Sequence, residues 1–319
     1  MSLVYDSFLF FNELDLLEIR LNVLSKTVDK FVLVEASKTF SNKEKSFFFE
    51  DNKERYKQFL DRVIHVKISE YPETKNAWEM EKYQRNQIAL GIQHCQYEDI
   101  ILISDLDEIP SPEAIMNYKK YCNGIFTLKQ LHFDYYLNYQ RCGKNNYWCN
   151  AKILRYSDIV AKDQVIFSSQ NIRKNKNTIL IKGGGWHFSF LGGMENIKLK
   201  IQSFSHQEYN NEKYLNDQIE YKVRMGLDLF DRSNIRLIPI YISRKKHPLY
   251  IVHNQEKYSH LIYPYVNRYI AMKNRLYCIP YYIIRIIKHI FKKILPKMIV
   301  ARLKTCSCRC SSSKYNIFL

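Results

Sequence analysis

The sequence predicts an α/β fold with a mainly parallel central sheet and a basic helical tail. Over the first 110 residues, short apolar runs of strand length alternate with longer segments of helical pattern. Strands that alternate with helices are typical of units in which neighbouring strands run parallel. One apolar run, Ile100–Ile103, leads directly into a cluster of carboxylates, and the last 60 residues are strongly basic.

Each predicted element follows from its own pattern. A strand is expected where apolar residues form a short run, and a helix where they recur every three or four positions. Asn76, followed three residues later by Glu79, has the spacing of a capping box and predicts a helix start. In chain order we expect a strand at Val4–Phe10, a helix at Glu13–Leu24, strands at Phe31–Val34 and Val63–Val66, a helix from Asn76 to about Gly91, and a strand at Ile100–Ile103.

Three of the predicted strands end at polar residues. These ends are Phe11 with Asn12, Glu35 with Ala36, and Asp105–Glu108. Ligands of open parallel sheets bind beyond the carboxyl ends of the strands. The sequence therefore predicts that these three segments share one face of the sheet.

The most acidic strand end predicts a metal ion. Alternate side chains of an extended chain point the same way, so Asp105 and Asp107 can bind one hard divalent cation through oxygen. Mg²⁺ or Mn²⁺ bound in this way keeps positions for water and for substrate phosphates. The alternative is structural, because Ser111, Pro112 and Glu113 resemble a helix start, near which acidic side chains are favourable. Both interpretations stay open at this point.

A glycine-rich segment adds one candidate ligand. Five of the nine glycines lie between Gly183 and Gly193, which indicates backbone that turns sharply or comes close to a ligand. His187 lies in the middle of this segment. As a neutral imidazole it could complete the metal site, or it could instead form a hydrogen bond with a loop carbonyl.

The net charge of +17 is concentrated at one end of the chain. Residues 257–319 contain thirteen Lys and Arg and no Asp or Glu, whereas the first 256 residues carry 36 basic and 32 acidic side chains, a net charge of +4. With 319 residues, 46% of them hydrophobic, the chain can bury a large core. We expect a main domain at residues 1–255, a basic tail at 256–319, and no nucleic-acid partner.

The tail contains a predicted basic amphipathic helix at residues 279–297. One helical face is expected to be apolar and the other basic. The apolar face contains Ile283, Ile284, Ile286, Ile287, Ile290, Phe291 and Ile294, and the other contains Arg285, Lys288, His289, Lys292 and Lys293. Cations interrupt each apolar run well before the ~20 residues that a membrane span requires. The pattern favours a helix that lies on an anionic membrane surface. The alternative is that the same stripe packs on the main domain or on a partner.

The N-terminus and the cysteines indicate a reducing compartment. The first ten residues show no basic region, long apolar core or cleavage site, so we expect a cytoplasmic protein that is peripheral at the inner face of a membrane. The eight cysteines form no C-x-x-C pair, and most of them should be free thiols. Cys142 and Cys149 could form a disulfide only under oxidising conditions. The cluster of Cys306, Cys308 and Cys310 could carry a lipid or a soft metal.

Several segments together resemble glycosyltransferase family 17, which includes β-1,4-mannosyl-glycoprotein β-1,4-N-acetylglucosaminyltransferase. They span about residues 4–235, and their order and spacing make the match fairly specific. The segments are Tyr5–Leu21, Val28–Ala36 followed by Thr39 and Phe40, Arg85 with Asn86, Ser104–Pro110, and Gly185–Ser189.

This resemblance implies a GT-A fold, with a nucleotide-binding half at residues 1–123 and an acceptor half at residues 124–255. It also implies a nucleotide-sugar donor, usually UDP-GlcNAc, a divalent metal, and inversion at the anomeric carbon. The predicted function is the transfer of a sugar, most plausibly N-acetylglucosamine, to a glycan or lipid-linked acceptor.

Candidate roles follow from the negative charge that builds on the departing diphosphate. A metal held by Asp105, Asp107 and His187 would neutralise that charge as a Lewis acid. Arg85 could bind the same diphosphate through two parallel hydrogen bonds. Candidates for contact with the rest of the nucleotide are Asn12, Glu13, Glu35 and Asp105.

Inversion in a single displacement also needs a group that accepts the proton of the acceptor hydroxyl. No motif identifies this carboxylate. The candidates are Glu208, Asp134 and Asp217, which lie in polar aromatic sequence downstream, and Glu208 is preferred.

Two other function classes fit part of the sequence. In haloacid-dehalogenase-type phosphohydrolases a strand also precedes D-x-D, and Asp105 would be the nucleophile and Asp107 the acid and base. That motif normally opens its domain, whereas two strand and helix units precede it here. A non-catalytic module could bind a membrane or nucleic acid through the tail with strong salt dependence, but it would leave the acidic strand end without a role.

Overall fold

A computed structural model describes residues 2–287 apart from 75, 122, 144–145, 162–163, 166–167, 233–234, 265–267, 281 and 285. Most of the predicted amphipathic helix at 279–297 lies outside the described residues. The cysteine cluster at 306, 308 and 310 also lies outside them. Two features named from the sequence therefore stay predictions.

The described residues include thirteen strands, nine α-helices up to residue 253 and a further helical segment at 268–280. The strands are β1 Val4–Phe10, β2 Lys30–Ala36, β3 Val63–Ile68, β4 Ile100–Asp105, β5 Glu108–Pro110, β6 Phe126–Asp134, β7 Tyr139–Gly143, β8 Tyr147–Trp148, β9 Lys152–Arg155, β10 Val160–Ala161, β11 Gln164–Val165, β12 Ile179–Ser189 and β13 Ile235–Pro239. The helices are α1 Leu14–Leu24, α2 Phe48–Asp51, α3 Ala77–Asn86, α4 Ile88–Ile92, α5 Pro112–Tyr121, α6 Ser169–Lys174, α7 Gly193–Ser203, α8 Gln218–Met225 and α9 Leu249–His253.

The four predicted strands and two predicted helical regions are present. The Asn76 side chain caps α3 by accepting a hydrogen bond from the Trp78 amide at 2.9 Å. Glu79 does not complete the capping box, since it accepts a hydrogen bond from the Thr74 hydroxyl. Pro112 begins α5 directly after Ser111, so the predicted helix start exists as well and does not compete with the acidic cluster upstream of it.

The first half of the sheet is parallel, in the order β3-β2-β1-β4. Phe10 is in register with Glu35, and Leu9 with Asp105, so the three polar strand ends share one edge as predicted. The sheet as a whole is mixed, which corrects the expectation of a mainly parallel sheet. Antiparallel pairs join five further strands to the sheet: β5, β7, β8, β9 and β13. Among the described strands, the only further parallel pair is that of β12 with β6.

Helices cover both faces of the parallel half because its strands are apolar on both sides. Phe31 and Leu33 of β2 pack in the same core as Leu17 of α1. The alternate residues, Val32 and Val34, face the other way into a core that includes Ile88 of α4. This two-sided burial explains why these strands are continuous apolar runs in the sequence.

The glycine-rich segment is a strand. β12 pairs parallel with β6 and antiparallel with β5, with a register shift between Ile181 and Gly185. Gly185 has φ of +129°, and a Cβ atom there would lie 2.1 Å from the carbonyl oxygen of Ile109 in β5. Gly185 thus allows two strands to approach each other, and Gly192 and Gly193, with φ of +92° and +81°, lie where the chain turns from β12 into α7, as predicted for sharply turning backbone.

The described part of the predicted tail packs on the main domain. Tyr258 and Cys278 are fully buried, and helical residues 268–280 place Ala271 and Cys278 against Cys142 and Ile238 of the sheet. Packing therefore continues past the predicted boundary at residue 256. The Sγ atom of Cys142 lies 3.5 Å from that of Cys278, and both thiols are free, so the neighbour of Cys142 is not the predicted Cys149. None of the described helices is both long and apolar enough to cross a membrane.

The glycine geometry gives the first prediction. We expect Gly185→Ala to lower the free energy of unfolding by at least ~2 kcal/mol more than Gly183→Ala. Both positions have positive φ, but a Cβ at Gly183 would meet no atom within 4 Å, so this matched variant carries the strain without the clash. Urea unfolding of the two proteins measures the difference. Equal destabilisation would mean that β12 does not depend on the close approach at Gly185.

Candidate active site

A cavity of about 460 Å³ opens at the carboxyl edge of the parallel strands. Its lining includes Phe10 and Asp107 from the first half of the chain and His187 and Lys200 from the second. Eight Lys or Arg and five Asp or Glu side chains line it. The volume suits a small ligand, and the excess of basic groups favours an anionic one.

The floor of the cavity is the turn Asp105–Glu108, and buried Arg20 fixes its backbone. The Arg20 guanidinium donates hydrogen bonds from Nη1 to the carbonyl oxygens of Asp105, Leu106 and Glu108 at 2.7, 3.0 and 3.0 Å. Its Nε and Nη2 atoms bind the carboxylate of Asp6 at 2.8 and 2.6 Å. Every one of these groups except Asp105 is fully or nearly fully buried, so the turn has one strongly determined conformation.

Asp105 is held between two arginines. Its Oδ1 accepts a hydrogen bond from Arg85 of α3, and its Oδ2 accepts one from Arg173 of α6 at 2.8 Å. Burial raises the pKa of Asp105, but Arg173 and Arg85 outweigh burial and lower the pKa to about 2. The arginines have further partners, since Glu81 binds Arg85 at 2.7 Å and Glu108 binds Arg173 at 2.7 and 2.8 Å.

Asp107 faces a lysine and a histidine. Its Oδ2 accepts a hydrogen bond from Lys200 Nζ at 2.9 Å, and its Oδ1 lies 3.5 Å from His187 Nε2. Lys200 Nζ also lies 3.4 Å from Glu13 Oε1. Burial raises the pKa of Asp107, but Lys200 and His187 outweigh it and hold the pKa well below its usual range. Asp107 is therefore an anion at all physiological pH values.

Strand pairing brings His187 to Asp107. His187 is opposite Glu108 across the β12–β5 ladder, and the neighbouring Phe188 amide donates a hydrogen bond to the carbonyl oxygen of Asp107 at 2.8 Å. Trp148 stacks on the His187 ring with centroids 4.4 Å apart. The glycine-rich strand thus delivers an imidazole to the acidic turn.

A metal ion fits part of the predicted ligand set. Among the described residues, no group of three or more His, Cys, Asp or Glu side chains is arranged to hold one. Asp107 and His187 do suit Mg²⁺ or Mn²⁺, because such ions need only one or two protein ligands when substrate phosphates supply the rest. Buried His187 Nδ1 also finds no hydrogen-bond partner within the described structure. Asp105 does not fit, since its two oxygens bind Arg85 and Arg173.

A second acidic group, Asp134, lines the cavity beside His132. Arg141 donates to Asp134 Oδ2 from Nε and Nη2 at 2.8 and 2.6 Å. The other oxygen, Oδ1, lies 3.2 Å from His132 Nε2. Burial lowers the pKa of His132 to about 3 despite the opposing charge of Asp134, so this imidazole is neutral. Both of its ring nitrogens, and Asp134 Oδ1, are buried without a hydrogen-bond partner among the described residues.

Comparison with known proteins identifies the family. The family model for glycosyltransferase family 17 matches residues 1–268. The chain belongs to glycosyltransferase family 17. It is therefore a glycosyltransferase, and the segments from which the sequence resemblance was drawn all lie within the matched range. A search of curated proteins found no significant match.

One similar solved structure is the mannosyltransferase PcManGT from Pyrobaculum calidifontis in complex with GDP-Man and Mn²⁺. It shares 11% sequence identity with this chain, with a TM-score of 0.33, and the similarity covers 60% of this chain and 56% of that one. This chain therefore spans a little over half the length of that structure. A likeness at this level says nothing about the substrate of the present family 17 protein.

Membership of family 17 removes the two rival function classes. The phosphohydrolase interpretation needs Asp105 as a nucleophile, and both oxygens of Asp105 bind arginines. The interpretation as a binding module without catalysis assigns no role to the cavity, which lies inside the range matched by the glycosyltransferase family.

The structure brings six of the predicted site residues of this glycosyltransferase into one cavity. They are Glu13, Arg85, Asp105, Asp107, Asp134 and His187. Asn12 and Glu35 are not among the described residues that line the cavity. Glu35 is fully buried beneath it, where the Phe49 amide, His65 and Lys45 bind its carboxylate. Its predicted contact with the nucleotide is corrected for this reason.

Two of the three predicted proton acceptors lie elsewhere. Glu208 is exposed, pairs with His206 at 2.6 Å and does not line the cavity. Asp217 is an exposed residue at the start of α8. Both predictions are corrected, because each side chain points to solvent, and Asp134 is the remaining candidate.

Sequence reasoning missed Arg173, Lys200 and His132. Nothing in the local pattern distinguishes Arg173 or Lys200 from a solvated helix cation. His132 carried a usable signal, since residues two apart on a strand point to the same side and His132 is two residues before Asp134 on β6.

Proposed function

We propose that this family 17 enzyme has a GT-A-type fold and transfers a sugar from a UDP-sugar, most plausibly UDP-GlcNAc, with inversion at the anomeric carbon. The observation that carries the proposal is the acidic turn at the carboxyl edge of parallel strands, surrounded by Arg85, Arg173 and Lys200 in a cavity with excess positive charge. A nucleoside diphosphate is the anionic ligand that such an edge binds most readily.

The cations divide between fixed and available groups. Arg85 and Arg173 are buried and paired on Asp105, Glu81 and Glu108, so these ion pairs hold the cavity floor in a fixed arrangement. Asp105 keeps a partly exposed side chain and, as an anion, accepts hydrogen bonds from the donor's hydroxyl groups. Lys200 is about a quarter exposed and reaches the diphosphate as a flexible point charge.

Asp107 and His187 would hold Mg²⁺ or Mn²⁺. When bound, the ion supplies Lewis-acid neutralisation of the charge on the departing diphosphate. The protein's part is to keep Asp107 ionised and to fix the positions of Asp107 and His187 through the Arg20-bound turn and the β12–β5 pairing.

His132 and Asp134 are the pair that we propose for proton acceptance. A neutral imidazole keeps one ring nitrogen unprotonated, and His132, whose Nε2 lies 3.2 Å from Asp134 Oδ1, can take the proton of the acceptor hydroxyl on that nitrogen as the new glycosidic bond forms. Asp134 stabilises the resulting imidazolium, and Arg141 fixes Asp134. This assignment keeps Asp134 in the reaction but moves the proton to His132.

The acceptor is proposed to be a glycan or lipid-linked sugar at a membrane surface. In the described part of the tail, the side chains of Ile279, Ile283, Ile284, Ile286 and Ile287 are each 44–59% exposed. Nine Lys or Arg and no acidic residue lie in residues 283–319. Exposed isoleucine in a segment whose only charged residues are basic suits peripheral binding to anionic lipid. The location we propose is the cytoplasmic inner face of a membrane.

The donor chemistry is tested at Asp107. We expect Asp107→Asn to reduce UDP release from UDP-GlcNAc in the presence of Mn²⁺ by at least ~100-fold, because the neutral amide binds the cation poorly while keeping the shape of the side chain. Thermal unfolding should show a folded protein. Glu195→Gln, an exposed neutralisation on α7, is the matched control and should retain turnover. Wild-type rates for Asp107→Asn would refute the role of this turn.

The proton acceptor is tested at His132. His132→Gln should lower sugar transfer by about 10²- to 10⁴-fold and leave the affinity for UDP within about threefold of wild type, because the lost group acts on the acceptor and not on the donor. Rates of transfer and a UDP titration separate the two effects. His247→Gln, which alters another buried histidine next to β6, controls for loss of packing. Transfer within about threefold of wild type would remove His132 from the reaction.

The membrane proposal is tested by deleting residues 283–319, which leaves the buried Cys278 in place. We expect co-sedimentation with vesicles that contain anionic lipid to fall at least ~10-fold, since each cation near such a surface contributes ~1 kcal/mol. Turnover on a soluble acceptor should persist. A full-length variant that combines Ile283→Ser, Ile286→Ser and Ile287→Ser keeps every charge of the tail. Comparing it with the deletion variant separates the contribution of apolar insertion from that of electrostatic attraction. Undiminished vesicle binding by the deletion variant would contradict the proposal.

A further inference from the structure

Lys200 occupies one oxygen of the carboxylate that a metal ion would need, because it binds Oδ2 of Asp107 while Oδ1 faces His187. Its ammonium group lies 2.9 Å from Asp107 Oδ2 and 3.4 Å from Glu13 Oε1, so it bridges a carboxylate of the turn after β4 and one at the start of α1. Both carboxylates line the cavity. Lys200 thus holds a position between acidic groups that a divalent cation also favours.

Lys200 can leave this position, whereas the neighbouring arginines cannot. Arg85 and Arg173 are buried and each binds two carboxylates through a planar guanidinium. Lys200 is more exposed, and its charge lies at the end of a flexible four-carbon stem. Its motion breaks two ion pairs and a contact with the Phe190 ring, whose centroid lies 5.6 Å from Nζ.

The cost of that motion depends on what else is in the cavity. Without a ligand, an ammonium displaced from Asp107 and Glu13 loses both of its anionic partners. When a diphosphate is bound, the same ammonium gains phosphate oxygens in exchange. The nucleotide therefore lowers the cost of exposing Asp107 to a metal ion, and a metal ion lowers the cost of moving Lys200 to the nucleotide.

We propose that Lys200 couples metal binding to donor binding. It blocks Asp107 in the free enzyme and moves to the donor diphosphate in the loaded one, so that metal and nucleotide bind cooperatively. The inference rests on the proposed function, because it assumes a nucleoside diphosphate donor and a metal at Asp107 and His187. By linkage, Mn²⁺ must tighten UDP binding by the same factor by which UDP tightens Mn²⁺ binding.

The test is a set of Mn²⁺ titrations of the full-length protein with and without saturating UDP. Binding is measured by calorimetry or from the electron spin resonance signal of free Mn²⁺. For wild type we expect at least ~10-fold tighter Mn²⁺ binding when UDP is present. For Lys200→Met, which keeps the stem and removes the ammonium, we expect at least ~10-fold tighter Mn²⁺ binding without UDP, and a UDP effect reduced to about threefold or less.

Two further variants separate competition from simple loss of charge. Lys174→Met removes a cation from the same cavity lining and should leave the coupling between UDP and Mn²⁺ as in wild type. Lys200→Arg keeps a cation within reach of Asp107 and should keep weak Mn²⁺ binding in the absence of UDP. Thermal unfolding of each variant shows that the folded protein is being measured.

The outcomes distinguish this inference from the function on which it rests. If Lys200→Met shows wild-type Mn²⁺ affinity and wild-type coupling, Lys200 is not the coupling residue, and the Asp107→Asn result still decides the donor chemistry. If Lys174→Met changes the coupling as much as Lys200→Met, the effect is one of total charge and the inference is wrong. If wild type with UDP binds no Mn²⁺ and yet releases UDP from UDP-GlcNAc, both this inference and the proposed metal dependence fail.

Discussion

The buried guanidinium of Arg20 is the contact on which the site depends. It joins three carbonyl oxygens of the turn at 105–108 to the carboxylate of Asp6 and the hydroxyl of Ser104. Carbonyl oxygens that converge at a strand end would repel one another without a shared donor, and burial makes each unsatisfied one costly. Arg20 and Asp6 come from α1 and β1, so the first strand and helix of the chain determine the shape of the turn that follows the fourth strand.

The charges around this turn are arranged in layers. Arg85 pairs with Glu81, and Arg173 pairs with Glu108. Both arginines also bind Asp105. The other aspartate of the turn, Asp107, faces Lys200 and His187. Each buried charge therefore has a partner of opposite sign, which is the condition for burying ions at tolerable cost. Fixed dipoles and charges of this kind need little reorganisation when negative charge develops on a leaving group. The layered pairs thus make a rigid cavity floor, and the changeable contacts are confined to the groups that face the cavity.

The parallel half could be predicted from the sequence, and much of the active site could not. The strands of the first half are local apolar runs, and their common edge follows from parallel pairing, so Asp105, Asp107, Glu13 and Arg85 could be found in advance. The charge of a side chain does not reveal the direction in which it points, which is why the roles predicted for Glu35 and Glu208 were wrong. Lys200 and Arg173 reach the site through packing across 65 or more positions of sequence, and no local periodicity records such contacts. The mixed character of the sheet was missed for the same reason.

One strand, β12, joins the two chemical parts of the cavity. Its antiparallel register with β5 places His187 opposite Glu108, and its parallel register with β6 places the same residue opposite His132. The His187 and His132 rings lie 4.4 Å apart, between Asp107 on one side and Asp134 on the other. A shift of β12 by one residue would turn His187 to the opposite face of the sheet. The glycine that allows β12 to approach β5 therefore controls the position of His187 relative to both Asp107 and His132.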